Sequence, residues 1–173
     1  MGGGLSCPVT TLHVERYNTP YFHSGCVHLQ GWRTSQEDEH NMLRLKSGAE
    51  LFAVYDGHGG YHASEYLKTQ IPLEFDEITD FDDHEKLTEL MLKIDRIFLS
   101  GIEAEINGKK GKIKYDDGST CCIAITRLWD LENNAPLPRD RYPEVFSAEA
   151  CRGKIGVKLL TINIGDSRIM IVR

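Results

Sequence analysis

No apolar run in this chain approaches the roughly 18 consecutive residues that a membrane-crossing helix needs. The N-terminus has no apolar h-region, so no secretory signal peptide is visible. Positive charge is in deficit: 20 Lys and Arg stand against 26 Asp and Glu, a formal net charge of −6. A nucleic-acid binder usually shows a basic patch or stripe, and this balance argues against that class. The five cysteines (Cys7, Cys26, Cys121, Cys122 and Cys151) are odd in number, and no pair has C-x-x-C spacing. Their spacing argues against both a disulfide framework and a zinc site. A reducing, cytoplasmic compartment is the simplest reading. No internal repeat and no internal domain boundary is visible.

What is present begins at the first residues, "MGGGLSC". Gly2 with Ser6 fits the N-myristoylation pattern, and Cys7 beside it suits a second acyl chain. One myristoyl chain gives only marginal membrane binding. Arg16 is the only basic residue before Arg33, so a polybasic patch cannot add the second signal. Peripheral membrane attachment through Gly2 and Cys7 is therefore expected. Residues 1–24 read as an extended arm.

Alternating or continuous apolar stretches predict strands at 24–32, 40–47, 50–57 and 119–129, and two more over 156–173 around Gly165-Asp166-Ser167. Residues 61–71 favour a helix that Pro72 stops. A second helix to about Asn107 carries Leu87, Leu90, Met91, Ile94, Ile97, Phe98 and Ile102 at three- and four-residue steps, one apolar stripe. The seven acids between 74 and 85 suit the positive end of that helix, and they lack the ligand rhythm of a calcium loop. Residues 107–118 read as a basic loop and 130–154 as a surface excursion. Strands outnumber helices, and both helices fall together between strands, a pattern of class α+β.

Three stretches place a carboxylate beside glycine at the end of an apolar strand: "GWRTSQEDEH" with Arg33, Glu37 and Asp38; "DGHGG" with Asp56, Gly57 and His58; and "GDSR" with Asp166. Mg²⁺ and Mn²⁺ prefer oxygen ligands. A glycine carbonyl can approach such an ion closely. Arg33 offers a planar fork for phosphate, and His58 is a proton donor. Together these residue types point to metal-assisted phosphoryl hydrolysis.

"QGWRTSQEDEH", "LFAVYDGHGG", "DDGSTCCIAI" and "TINIGDSRIMIVR", in that order, resemble the metal-dependent protein phosphatase family, type 2C. The resemblance covers residues 25–173. It implies serine/threonine phosphoprotein hydrolysis with two Mg²⁺ or Mn²⁺ ions on a β-sandwich flanked by antiparallel helices. It also implies that Asp56 bridges the metals, that Glu37 and the Gly57 carbonyl serve one of them, and that Asp38 supports the site. Arg33 would bind the substrate phosphate, His58 would protonate the leaving alkoxide, and Asp166 would serve a third metal. Gly118, Ser119 and Thr120 would be structural. The family's later D-G and D-N motifs do not occur before Arg173, so the sandwich is expected to be incomplete and this chain alone inactive or nearly so. A non-catalytic, partner-binding fragment is the alternative.

Mass spectrometry of the protein expressed in its own cells is expected to find a myristoyl group on Gly2. An unmodified Gly2 overturns the acylation reading.

Overall fold

The computed structural model describes residues 4–19, 21–78, 80–106, 109–137 and 154–172; of 102–106, 109 and 110 it describes only the backbone. Gly2, and most of the 130–154 excursion, lie outside the described residues. The elements are β1 (His13–Asn18), β2 (His23–His28), β3 (Glu39–Arg44), β4 (Glu50–Tyr55), β5 (Gly57–His58), α1 (His62–Asp76), α2 (His84–Ser100), β6 (Ile102–Ile106), β7 (Lys109–Ile113), β8 (Gly118–Ser119), β9 (Cys121–Asp130), β10 (Ala135–Pro136) and β11 (Ile155–Ile164). The class is α+β, as the grouping of helices between strands predicts.

The chain forms two compact units. One comprises residues 1–36, 40–53 and 123–161; the other comprises 37–39, 54–122 and 162–173. The backbone passes between them several times, so no linker in the sequence marks a boundary.

The first unit holds the β1–β2 hairpin, paired antiparallel from His13↔His28 to Asn18↔His23. It also holds most of a five-stranded sheet, ordered β10-β9-β4-β3, with β11 also on β9. Leu51 and Ala53 of β4 and Ile123 and Ile125 of β9 are buried at alternate positions, the period that a pleated strand imposes. Phe52 faces the other way, with edge-on contacts to Tyr17 and Phe22. Glu50 is a buried carboxylate, 2% exposed. It accepts from the Tyr17 hydroxyl at 2.7 Å and is paired with the Arg44 guanidinium. A buried charge persists only when paired and hydrogen-bonded, and this trio joins the hairpin to β3 and β4.

The second unit holds the helices. Tyr66 of α1 packs its ring on Phe98 of α2 at 5.3 Å, and Glu74 of α1 pairs with Lys93 of α2 at 2.8 Å. Contacts that rise along α1 descend along α2, so the helices run antiparallel. Asp83 caps α2 by accepting from the Lys86 N–H at 3.0 Å, which gives one of the acids at 74–85 its role.

Four local expectations change. The arm is partly a strand, β1, because β2 supplies its partner. Pro72 lies inside α1 rather than ending it. Ile71 and Phe75, fully buried on either side, hold the helix through a residue that removes one N–H bond and crowds the carbonyl one turn back. α2 ends at Ser100, because Gly101 takes φ +96°, and the alternating I-E-A-E-I that follows is β6, hairpinned to β7 within the basic stretch. Residues 165–172 form no second strand; Met170, Ile171 and Val172 are 84, 70 and 90% exposed.

Arg44→Met leaves the Glu50 carboxylate buried without its cation. It is expected to lower unfolding free energy by about 3 kcal/mol, the low end for a broken buried pair, measured by urea denaturation. The Tyr17 hydroxyl is pushed up to about 12 by burial, with the Glu50 carboxylate adding to the shift. Its raised folded value means the stabilisation is full below about pH 10 and is lost as pH rises through about 12. Tyr17→Phe should remove that share of the alkaline destabilisation; an unchanged profile would contradict it.

Candidate active site

β4 ends on Tyr55, fully buried, and the next residue, Asp56, emerges exposed. Its backbone is held from both sides by one residue. The Asp56 N–H donates to Thr120 Oγ1 at 3.1 Å, and the Asp56 carbonyl accepts from the Thr120 N–H at 2.9 Å. The next two residues pair as β5 with β8, Gly57↔Ser119 and His58↔Gly118. A Cβ on Gly118 would lie 2.6 Å from His58 Nε2, so the glycine makes room for the ring. His58 itself is exposed.

Gly57 is buried, and a Cβ there would collide with the Glu37 carbonyl oxygen and the Ser64 hydroxyl. Ser64, fully buried on α1, hydrogen-bonds the same Glu37 carbonyl at 2.5 Å. The backbone of the Glu37-Asp38 pair is thus pinned against the D-G-H segment. Glu37 is half-buried and Asp38 exposed. After them Glu39 pairs with Lys68 of α1 at 2.7 Å.

The third acidic stretch reaches the same residue. Thr120 Oγ1 lies 2.7 Å from Ser167 Oγ, and Gly165, at φ +97°, would press a Cβ against the Thr120 side chain at 2.8 Å. Asp166 lies between them and is exposed. Thr120 therefore ties "DGHGG" to "GDSR". The structural part expected of the G-S-T segment takes this concrete form.

Arg33 belongs to the other unit, where it is exposed and its backbone bonds to Gln30 on both sides. Its phosphate-binding part rests on the sequence resemblance. Cys7, in that same unit, is exposed.

Sequence reasoning missed Asp117. Its side chain is 2% exposed, and its Oδ2 accepts from the His62 N–H at 2.7 Å and contacts His62 Nδ1 at 3.0 Å. Tyr61, the residue at the N-cap of α1, makes no side-chain cap, and Asp117 does that work from 55 residues away. His62 stacks between Tyr61 and Tyr115 at 4.4 and 3.8 Å. Only the D-D-G-S-T run hinted at it, and turn composition gave that Asp no partner. A mostly apolar cavity of about 590 Å³, lined by Leu67, Met91, Phe98 and Ile164, opens beside His58 and Ser119.

Asp56, Glu37 and the Gly57 carbonyl are all oxygen donors, which fits a hard divalent cation in kind. In number they supply part of a coordination shell: among the described residues no three His, Cys, Asp or Glu side chains already stand arranged around an ion.

The family model described as Protein phosphatase 2C matches residues 22–173. The chain is 34% identical over 155 residues to the probable protein phosphatase CG10417 of Drosophila melanogaster, covering 84% of this chain and 23% of that one. It is 32% identical over 119 residues to protein phosphatase ppm-1.G of Caenorhabditis elegans, covering 68% and 24%. The chain thus spans about a quarter of the length of these curated relatives.

Thr120→Val keeps the shape and deletes the hydroxyl between Asp56 and Ser167. It is expected to cost about 1 kcal/mol, as one hydrogen-bonding group usually does. Gly57→Ala must push backbone apart and should cost about 3 kcal/mol, the upper range for overpacking. Chemical denaturation of both variants checks the order; a neutral Gly57→Ala would contradict the close approach to Glu37.

Proposed function

The chain belongs to the protein phosphatase 2C family, and on that premise we propose that its protein hydrolyses phosphoserine and phosphothreonine esters in other proteins. The observation that carries the reading is the contact of the three acidic stretches through Thr120 and Gly57, which ties the backbones around Asp56, Glu37 and Asp166 together within the second unit. Asp56, Glu37 and the Gly57 carbonyl would hold Mg²⁺ or Mn²⁺, with Asp38 in support and Asp166 for a further ion. Bound there, such ions polarise the phosphate and lower the pKa of the attacking water.

The remaining chemistry falls to the chain's own groups. Hydrolysis forms a bond from water oxygen to phosphorus and breaks the bond to the Ser or Thr oxygen. His58 supplies the proton that the leaving alkoxide needs, and its exposed place against Gly118 leaves it open to solvent and substrate. The Arg33 guanidinium is planar and always charged, and matches two phosphate oxygens at once. The backbone clamp at Thr120 holds Asp56 in place before substrate arrives, the preorganisation that electrostatic catalysis requires. Acylation at Gly2, with exposed Cys7 open to a second chain, would hold the enzyme at a cytoplasmic membrane surface.

Asp56→Asn is expected to abolish Mn²⁺-dependent phosphate release from phosphoserine and phosphothreonine peptides by the protein purified from its own cells. Full activity in that variant would sink the proposal. His58→Ala should slow phosphopeptide hydrolysis by about 100-fold or more, the usual worth of a positioned acid. Its effect on p-nitrophenyl phosphate, whose leaving group needs little protonation, should be far smaller. Equal losses on both substrates would contradict the acid role.

A further inference from the structure

The β1–β2 hairpin has two unlike faces. Successive side chains of a strand point to opposite sides, and directly opposed residues of an antiparallel pair share one. The inward face carries Tyr17 and His28: the Tyr17 ring meets Phe52, and the His28 ring lies beside that of His40 of β3. The outward face carries Val14 opposite Val27 and Arg16 opposite Gly25. Exposure along β2 alternates accordingly, with Ser24, Cys26 and His28 half-buried and His23, Gly25 and Val27 exposed. Val14 and Val27 are 52 and 59% exposed. Leu12 and Leu29, also exposed, flank the open end of the hairpin next to that pair. Trp32, 60% exposed, follows three residues after Leu29. Scattered apolar residues on a surface are ordinary, but a run of them at one end of one hairpin marks a contact surface.

We propose that this outward face docks on the surface of a lipid bilayer, with Val14, Val27, Leu12, Leu29 and Trp32 entering the headgroup region. Charge favours that partner. The chain holds 26 acids, yet the outward positions of the two strands are Val14, Arg16, Asn18, His23, Gly25 and Val27, without a carboxylate. Glu15, the acid of β1, is on the inward side, where its carboxylate meets His40 Nε2 at 3.1 Å. The cytoplasmic leaflet is negative and attracts each arginine close to it. A face bare of acids and bearing Arg16 suits such a surface, in a chain whose net charge of −6 otherwise opposes it. An indole sits well at the level of the headgroups, apolar in body and polar at one edge.

The N-terminal segment runs along the same end of the hairpin. Val9 and Gly31 exchange backbone hydrogen bonds at 2.7 and 3.1 Å, and the Leu5 N–H donates to the Trp32 carbonyl at 3.1 Å. Exposed Cys7 lies between these two ties. An acyl chain carried on this segment would therefore enter the membrane beside Trp32. The apolar face adds contact that one acyl chain alone does not give. Docking through it goes beyond the acylation reading and does not need it, because valine, leucine and tryptophan side chains partition without modification.

Vesicle sedimentation tests this with the protein made in bacterial cells, which add no myristoyl group, so the outcome is independent of Gly2. Vesicles of phosphatidylcholine alone are compared with vesicles that also contain phosphatidylserine. The protein is expected to sediment with both, and more with the mixture. Val14→Thr combined with Val27→Thr keeps size and β-branching while replacing two methyls by hydroxyls. It should weaken partition by about tenfold or more, with the melting curve intact. Arg16→Gln should remove the preference for phosphatidylserine, as raised salt should. Leu73→Gln, an equally exposed leucine on α1, should change nothing. In a Trp129→Phe background, Trp32 emission should shift to the blue when vesicles are added. Failure to sediment with either vesicle overturns the proposal, and so does partition that the double threonine variant leaves unchanged. A dimer in sedimentation velocity that the same variant dissolves would overturn it in favour of a second copy of the chain on this face.

Discussion

Thr120 is the residue on which the candidate site depends. Asp56 lies at the end of a buried strand, where the backbone leaves its ladder and its polar groups need new partners. Thr120 answers both of them, accepting from the N–H and donating to the carbonyl. Its hydroxyl is shared with Ser167, so the chain around Asp166 is fixed by the same atom. A serine would keep the oxygen but lose the methyl that rests against Gly165. A hydroxyl on a stiff, β-branched stem, facing a glycine, meets both needs. Gly57 solves the corresponding problem at Glu37, where any side chain would force two backbones apart. The exposed carboxylates are thus held by neighbours that themselves carry no charge.

The sequence showed the strand ends and the chemical types, because both are local. A run such as "LFAVYDGHGG" states that a strand stops and that an acid, a glycine and a histidine follow it. The class α+β was legible for the same reason. What it could not show was closure between distant segments. Asp117 capping α1 across 55 residues, and Glu50 tying Tyr17 to Arg44, depend on tertiary approach that no window reveals. Element bounds depart from local chemistry for physical reasons. Pro72 reads as a stop by its own chemistry, while burial of Ile71 and Phe75 carries the helix through it. The apolar stripe of α2 runs past Gly101 in the sequence, because periodicity registers side chains and not the positive-φ backbone there.

An antiparallel hairpin makes neighbours of residues that sequence spacing keeps apart. His13 meets His28 through registry, fifteen residues away. His40 arrives from β3, with its ring near that of His28 and its Nε2 held by Glu15. None of the three histidines stands beside another in the sequence, so nothing local marks them as neighbours.

Ligand hardness then explains which ion the acidic stretches suit. Around Asp56 and Glu37 the donors are oxygens, anionic and partly exposed, where a hydrated hard ion keeps several waters. The thiols offer no competing donor there: burial, with the Glu15 carboxylate adding to it, pushes the Cys26 thiol up, and burial pushes those of Cys121 and Cys122 up, so they stay protonated and poorly nucleophilic. The preference of Mg²⁺ for oxygen leaves it to the carboxylates.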